Sequence, residues 1–124
     1  MRQTFTIYGR LAGTNDYVKA AHTPWKRTKL KQEQEAIVME AAAGLKPMQP
    51  PVKVTVDYFE GKAKPRQKMR DLDNVFGGNK FIMDALVSAG IIPNDDTKNV
   101  VRLSCHGFRA TECPRIEVTI ESEE

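Results

Sequence analysis

A chain of 124 residues, 40% of them hydrophobic, suits one compact domain spanning 1–124 with a single core. No apolar run is long enough to span a membrane. Met1–Tyr8 lacks the apolar stretch of a signal peptide, so a cytoplasmic protein is expected. The net charge of +3 is uneven: residues 1–111 hold 18 Lys+Arg against 11 Asp+Glu (+7), and residues 112–124 hold one Arg against five Glu (−4). A basic body attracts polyanions, although an excess of this size is also common without a nucleic-acid partner.

Residues 3–8 alternate, with Phe5 and Ile7 on one side, which predicts a strand. Gly9, Gly13 and Asn15-Asp16 predict a loop from Gly9 to Tyr17. A helix is expected from Thr23-Pro24, with Thr28 as a later start, on a face of Leu30, Ile37, Ala41 and Leu45 that Gln34 interrupts. Gly44 and Pro47 end it. Val52, Val54, Val56 and Tyr58 then alternate with polar residues, the clearest strand in the chain. Residues 61–70 carry five basic residues and no acidic one, and Pro65 argues for a loop.

A second helix is expected from about Lys80 to Ala89, stopped by Gly90. Residues 91–96 turn the chain. Val100–Cys105 and Arg115–Ile120 alternate as two strands and predict a C-terminal antiparallel hairpin. The order β-α-β-α-β-β describes an α/β (α+β) domain, helices packed on a small mixed sheet. Cys105 and Cys113 are too few for a disulfide framework and fit no zinc motif. Reduced thiols are expected, with pairing across the hairpin as the alternative.

No Ser/His/Asp set is recognisable around His22 or His106, and Gly77-Gly78 lacks the Lys-Ser/Thr of a phosphate loop. Asp71-Leu-Asp-Asn-Val-Phe begins like a calcium loop. Phe76 and Ile82, however, stand where that loop needs Gly and Glu. Arg70-Asp71-Leu72-Asp73-Asn74 is the informative segment. In extended backbone Asp71 and Asp73 share a side, roughly 7 Å apart at Cα, and hard Mg²⁺ prefers such oxygens. Asp-x-Asp alone is most often a solvated surface pair. Five cations leading into it are what phosphodiester cleavage needs. Asn94-Asp95-Asp96 offers two more carboxylates, which a βαβ-like crossover would return to the same edge of the sheet. The plainer alternatives are that Asp95 and Asp96 serve the turn and that Asp84 pairs with Lys80 at i, i+4.

Arg70-Asp71-Leu72-Asp73-Asn74, then Lys80, Asp84-Ala85-Leu86, Ala89-Gly90-Ile91 and Asn94-Asp95-Asp96 resemble the RusA family of Holliday junction resolvases. Asn15-Asp16-Tyr17 is more loosely similar to its Asn-rich N-terminal loop. The resemblance implies a homodimeric, metal-dependent endonuclease of four-way DNA junctions, common in phages and prophages, with Mg²⁺ as cofactor and Mn²⁺ as a substitute. It places the essential groups at Asp71, Asp73, Asp96 and Lys80, with Asp95 the near alternative for the third acid. Val75–Asn79 is longer than the family's usual segment before the lysine, which puts the position of Lys80 in question.

Lys62, Lys64, Arg66, Lys68 and Arg70 would then bind DNA beside the cut. Lys26, Arg27, Lys29 and Lys31 form a second cluster, and Asn15 and Asn74 join as candidate DNA contacts. For either cluster the alternative is a solvated face. Three rivals stand beside this reading: a related metal nuclease of flaps or forks, a non-catalytic branched-DNA-binding protein, and a scaffold with no nucleic-acid role.

Overall fold

The computed structural model describes residues 1–62, 65–109 and 112–122. In chain order the elements are β1 (Arg2–Tyr8), α1 (Thr14–Ala21), α2 (Pro24–Ala41), β2 (Val52–Glu60), α3 (Leu72–Val75), α4 (Gly78–Ser88), β3 (Val100–Arg109) and β4 (Arg115–Ser122). The four strands form one mixed sheet in the order β1-β4-β2-β3.

β4 and β2 lie in the middle, and each buries an apolar alternation. Ile116, Val118 and Ile120 are buried, and each is flanked by β1 on one side and β2 on the other. β2 buries Val52, Val54, Val56, Tyr58 and Glu60 on the same face. α2 packs on α4 and α1, and the helices close the core through Val38, Ala42, Phe81, Ile82, Ala85 and Leu86. Gly90, at φ +74°, adopts the left-handed conformation that ends α4 and turns the chain toward Ile91.

Four sequence expectations are corrected. The segment from Gly9 to Tyr17 is not all loop, since α1 begins at Thr14. Asp16, which reads as a turn residue, reaches back from the first turn so that its carboxylate accepts the Gly13 N–H at 2.9 Å. On α2 the buried position is Val38, while Ile37 is exposed. Gln34 is turned to use, its side-chain oxygen accepting the Ala12 N–H at 2.7 Å.

The expected C-terminal hairpin does not form. β3 pairs in parallel with β2 along its length, and β4 crosses to the far side of β2. Val101 and Leu103 remain about half exposed on β3, so β3 suits an edge and β4 the centre. Finally, Asp71 and Asp73 do not share one extended strand. Asp71 caps α3 and Asp73 lies within it. Both cysteines are free, as expected of reduced thiols.

Candidate active site

The approach to Asp71 is fixed from the buried end of β2. Glu60 continues the inward parity of Val52, Val54, Val56 and Tyr58, and is 4% exposed. A buried carboxylate needs charged partners. Arg70 supplies a two-pronged pair, at 2.7 Å through Nε and 2.9 Å through Nη2, and Arg10 adds a contact at 3.3 Å. A third Arg70 donor binds the Leu11 carbonyl at 2.8 Å. Arg70 therefore faces inward as a strut, tying the basic loop to β1's exit and to β2. Burial, and then the neighbouring Arg70, lowers the pKa of Arg10, against the raising effect of Glu60 and Asp16.

The next residue, Asp71, begins α3 with its backbone, its carbonyl accepting the Asn74 and Val75 N–H groups at 3.1 Å. Its side chain takes no part in the cap. Asp71 and Asp73 are both exposed, and among the described residues neither carboxylate has a hydrogen bond or an ion pair. Two unneutralised acids beside a basic loop form a donor set suited to a hard cation.

The long segment Val75–Asn79 is built into the fold. Val75 is buried, Phe76 packs on Tyr58 with ring centroids 5.5 Å apart, and Asn79 hydrogen-bonds the Tyr58 hydroxyl and lies 2.7 Å from Cys105 Sγ. Burial raises the pKa values of Tyr58 and Cys105, so both keep their protons at neutral pH. Gly77 touches the first residue of α1, where a Cβ would collide with the Thr14 backbone nitrogen.

Lys80 follows on α4's first turn. Its ammonium lies 3.9 Å from Asp84, one turn on, and 5.8 Å from the Tyr17 ring centroid. Asp84 also receives Lys31 at 3.6 Å. The expected Lys80–Asp84 pair is thus present, and it holds the ammonium on the flank of α4 that faces α1 and α2.

The turn bearing Asp95 and Asp96 lies elsewhere. Asp96 precedes β3, and the Asn99 carbonyl at that end accepts the Val52 N–H, at the start of β2. Asp71 follows the other end of β2. Because β2 and β3 run parallel, the crossover delivers Asp96 to the opposite end of the sheet, not to the same edge. Nine strand residues put the two ends roughly 26 Å apart. Accordingly, no three Asp, Glu, His or Cys side chains among the described residues converge to hold a metal ion.

Asp96 organises its own turn. Its Oδ1 accepts from the Asn99 side chain at 2.7 Å, the Asn99 N–H at 3.1 Å and the Lys98 N–H at 3.2 Å. The Asn99 bond leads in lowering its pKa. Among the described residues the Asp95 side chain makes no such bond.

Between α1 and the basic loop runs a cleft of about 750 Å³ that gathers Asn15, Lys68, Arg70 and Asn74 with Arg10 and Lys19. Asn74 Oδ1 accepts the Asn15 N–H at 2.9 Å, so these two candidates are joined across 59 residues of sequence. Arg66 and Lys62 are exposed on the loop, and Lys64 lies outside the described residues. Lys26, Arg27 and Lys29 are exposed on the first turns of α2. Arg10, Lys19 and Glu60 were not among the sequence candidates. The signal for Glu60 was present, since its parity within β2 requires a buried acid and hence a buried cation.

The family model described as endodeoxyribonuclease RusA matches residues 9–121, from the exit of β1 through most of β4. The chain belongs to the RusA endodeoxyribonuclease family. RusA membership fixes the class of reaction, cleavage of phosphodiester bonds within DNA. No curated protein matches the chain. Among solved structures, the periplasmic domain of Helicobacter pylori MotB is similar in outline, at 12% identity and a TM-score of 0.44 over 98% of this chain and 81% of that one. No helix among the described residues is long and apolar enough to cross a membrane.

Proposed function

We propose that this RusA-family protein is a Mg²⁺-dependent, structure-selective endonuclease that resolves four-way DNA junctions by paired phosphodiester hydrolysis, acting as a homodimer. The observation that carries the reading is the pair of exposed, unpartnered carboxylates, Asp71 and Asp73, on the segment between Arg70 and Asn74, which both line a basic cleft. Carboxylates placed there repel DNA unless a cation stands between them and the phosphate. Their hard oxygens fit Mg²⁺, and Mn²⁺ in its place.

Asp71 and Asp73 would hold the ion, with Asp96 as third acid and Asp95 as its near alternative. A bound Mg²⁺ supplies Lewis-acid activation of water and neutralises charge on the phosphate. The chain's own residues do the rest. Arg70, locked to Glu60, keeps Asp71 in register. Lys68 and Arg66 hold the backbone beside the cut, and Asn15 and Asn74 brace the wall of the cleft. Lys80, on the α4 flank, adds positive charge for the phosphate oxygens.

The separation of Asp71 and Asp73 from Asp96 supports a site shared between two copies. β3 is an edge strand of ten residues with Val101 and Leu103 exposed, the kind of edge that invites pairing. Two β3 strands paired antiparallel about a two-fold axis would carry the Asp96 end of one chain to the Asp71 end of the other. Two equivalent sites then face two strands of the junction, which suits paired cuts.

The test is cleavage of a labelled four-way junction and a matched linear duplex in millimolar Mg²⁺, with wild type beside Asp71→Asn. Symmetric nicking of the junction, a spared duplex and an inactive variant that still binds are expected. Equal cutting of flaps or forks would instead indicate a nuclease of other branches. Tight binding with no cleavage in Mg²⁺ or Mn²⁺ would indicate a binding protein.

A further inference from the structure

Trp25 is the one tryptophan of the chain, and the fold leaves it uncovered. Its side chain stands 65% exposed at the start of α2, with the Lys26 ammonium 5.6 Å from the ring centroid. Isolated apolar residues on a surface need no explanation. Trp25, however, lines a second cleft, of about 500 Å³, with Lys19, Lys26 and Lys29.

That cleft shares Asp16, Lys19 and Leu30 with the cleft that holds Asn15, Asn74 and Lys68. The two clefts adjoin along α1, from Trp25 to Asn74, next to Asp73, whose carbonyl takes a 3.5 Å contact from Thr14 at the start of α1. Their acids are largely committed. Asp16 accepts the Gly13 N–H, and Glu33 lies 3.8 Å from Lys29.

Lys26 and Arg27 also sit in the first turn of α2, where no acidic residue offsets them and the helix dipole disfavours cations. Their helix position is unfavourable for cations, and the contact of Lys26 with the Trp25 ring offsets only part of that. An exposed aromatic set among such cations suits an unpaired base and its phosphates, because every base offers a π-face for stacking.

We propose that Trp25 is a base-stacking residue of the DNA interface. A nucleobase unstacked at a branch point lies on its indole face, and Lys26 and Lys29 hold the flanking phosphates. This deepens the junction-resolving reading and rests on it. α1, eight residues and about 12 Å long, lies between Trp25 and the segment that bears Asp73. Trp25 thereby selects branched over continuous duplex, since only a branch presents a base free to leave its stack.

Because the indole is unique, its emission reports on this position alone. Wild-type protein is titrated in EDTA, where it binds without cutting, with a labelled four-way junction or the matched duplex. Anisotropy reads binding and tryptophan emission reads stacking. Quenching by the junction and little change with duplex are expected. Trp25→Ala should weaken junction affinity about 5- to 100-fold, with duplex affinity unchanged, and Trp25→Phe should retain most of it. Junction binding with unquenched emission, or wild-type affinity in Trp25→Ala, overturns this inference and leaves the junction reading standing. Failure of wild type to prefer the junction overturns both.

Discussion

Glu60 ends β2 on the inward side of the sheet, and the candidate site is assembled on it. Arg70 and Arg10 neutralise it, and the Arg70 clasp sets where the chain emerges at Asp71. Glu60→Gln removes the charge that both guanidinium groups face and leaves them semi-buried. Breaking one side of such a pair costs on the order of 3–5 kcal/mol. Urea unfolding of the variant should show a loss of that size, and a midpoint equal to wild type would rule out the strut. At this scale the sequence was informative about identity and poor about placement. Asn15 and Asn74 are found on one cleft, and Asp71 and Asp73 are the chain neighbours of its Arg70 and Asn74. Arg70 reads as one more phosphate-binding cation in its run, yet it points inward, because its partner is set by the parity of Glu60, ten residues earlier.

Among the elements, alternation located all four strands, and the periodicity of α2 and α4 located both long helices. What local pattern could not carry was neighbour choice. Val100–Cys105 and Arg115–Ile120 read alike as strands, and proximity suggested a hairpin. The deeper burial of Ile116, Val118 and Ile120 instead takes β4 to the centre and leaves β3 parallel at the edge. α1 was missed because it is short and buries no residue, and because Gly9, Gly13 and Asn15-Asp16 read as a loop.

The joint between α3 and α4 shows how the long Val75–Asn79 segment is accommodated, since Gly77 lets the start of α1 lie directly against it. Gly77→Ala places a methyl group against the Thr14 backbone, a contact that cannot swing aside as a side chain could. Overpacking of this kind costs about 1–3 kcal/mol. Denaturant unfolding should show that loss, together with faster amide exchange at Asn15, whose N–H is held by Asn74. Unchanged stability and exchange would mean that α1 is not braced there.

For the whole molecule, the parallel pairing of β2 and β3 has the largest consequence. It sends Asp71 and Asp73 to one end of the sheet and Asp96 to the other, so the acids the family resemblance groups together meet only if a second chain contributes. The proposed metal-dependent junction nuclease therefore has a site shared between copies. Mixing Asp71→Asn with Asp96→Asn tests it most directly. Each variant alone should be inactive on a four-way junction in Mg²⁺. After subunit exchange, half the dimers are mixed and each mixed dimer has one intact site, so nicking should return to roughly a quarter of the wild-type site content, as single nicks without paired resolution. Failure of the mixture to regain nicking, with subunit exchange confirmed by mass, would contradict the shared site.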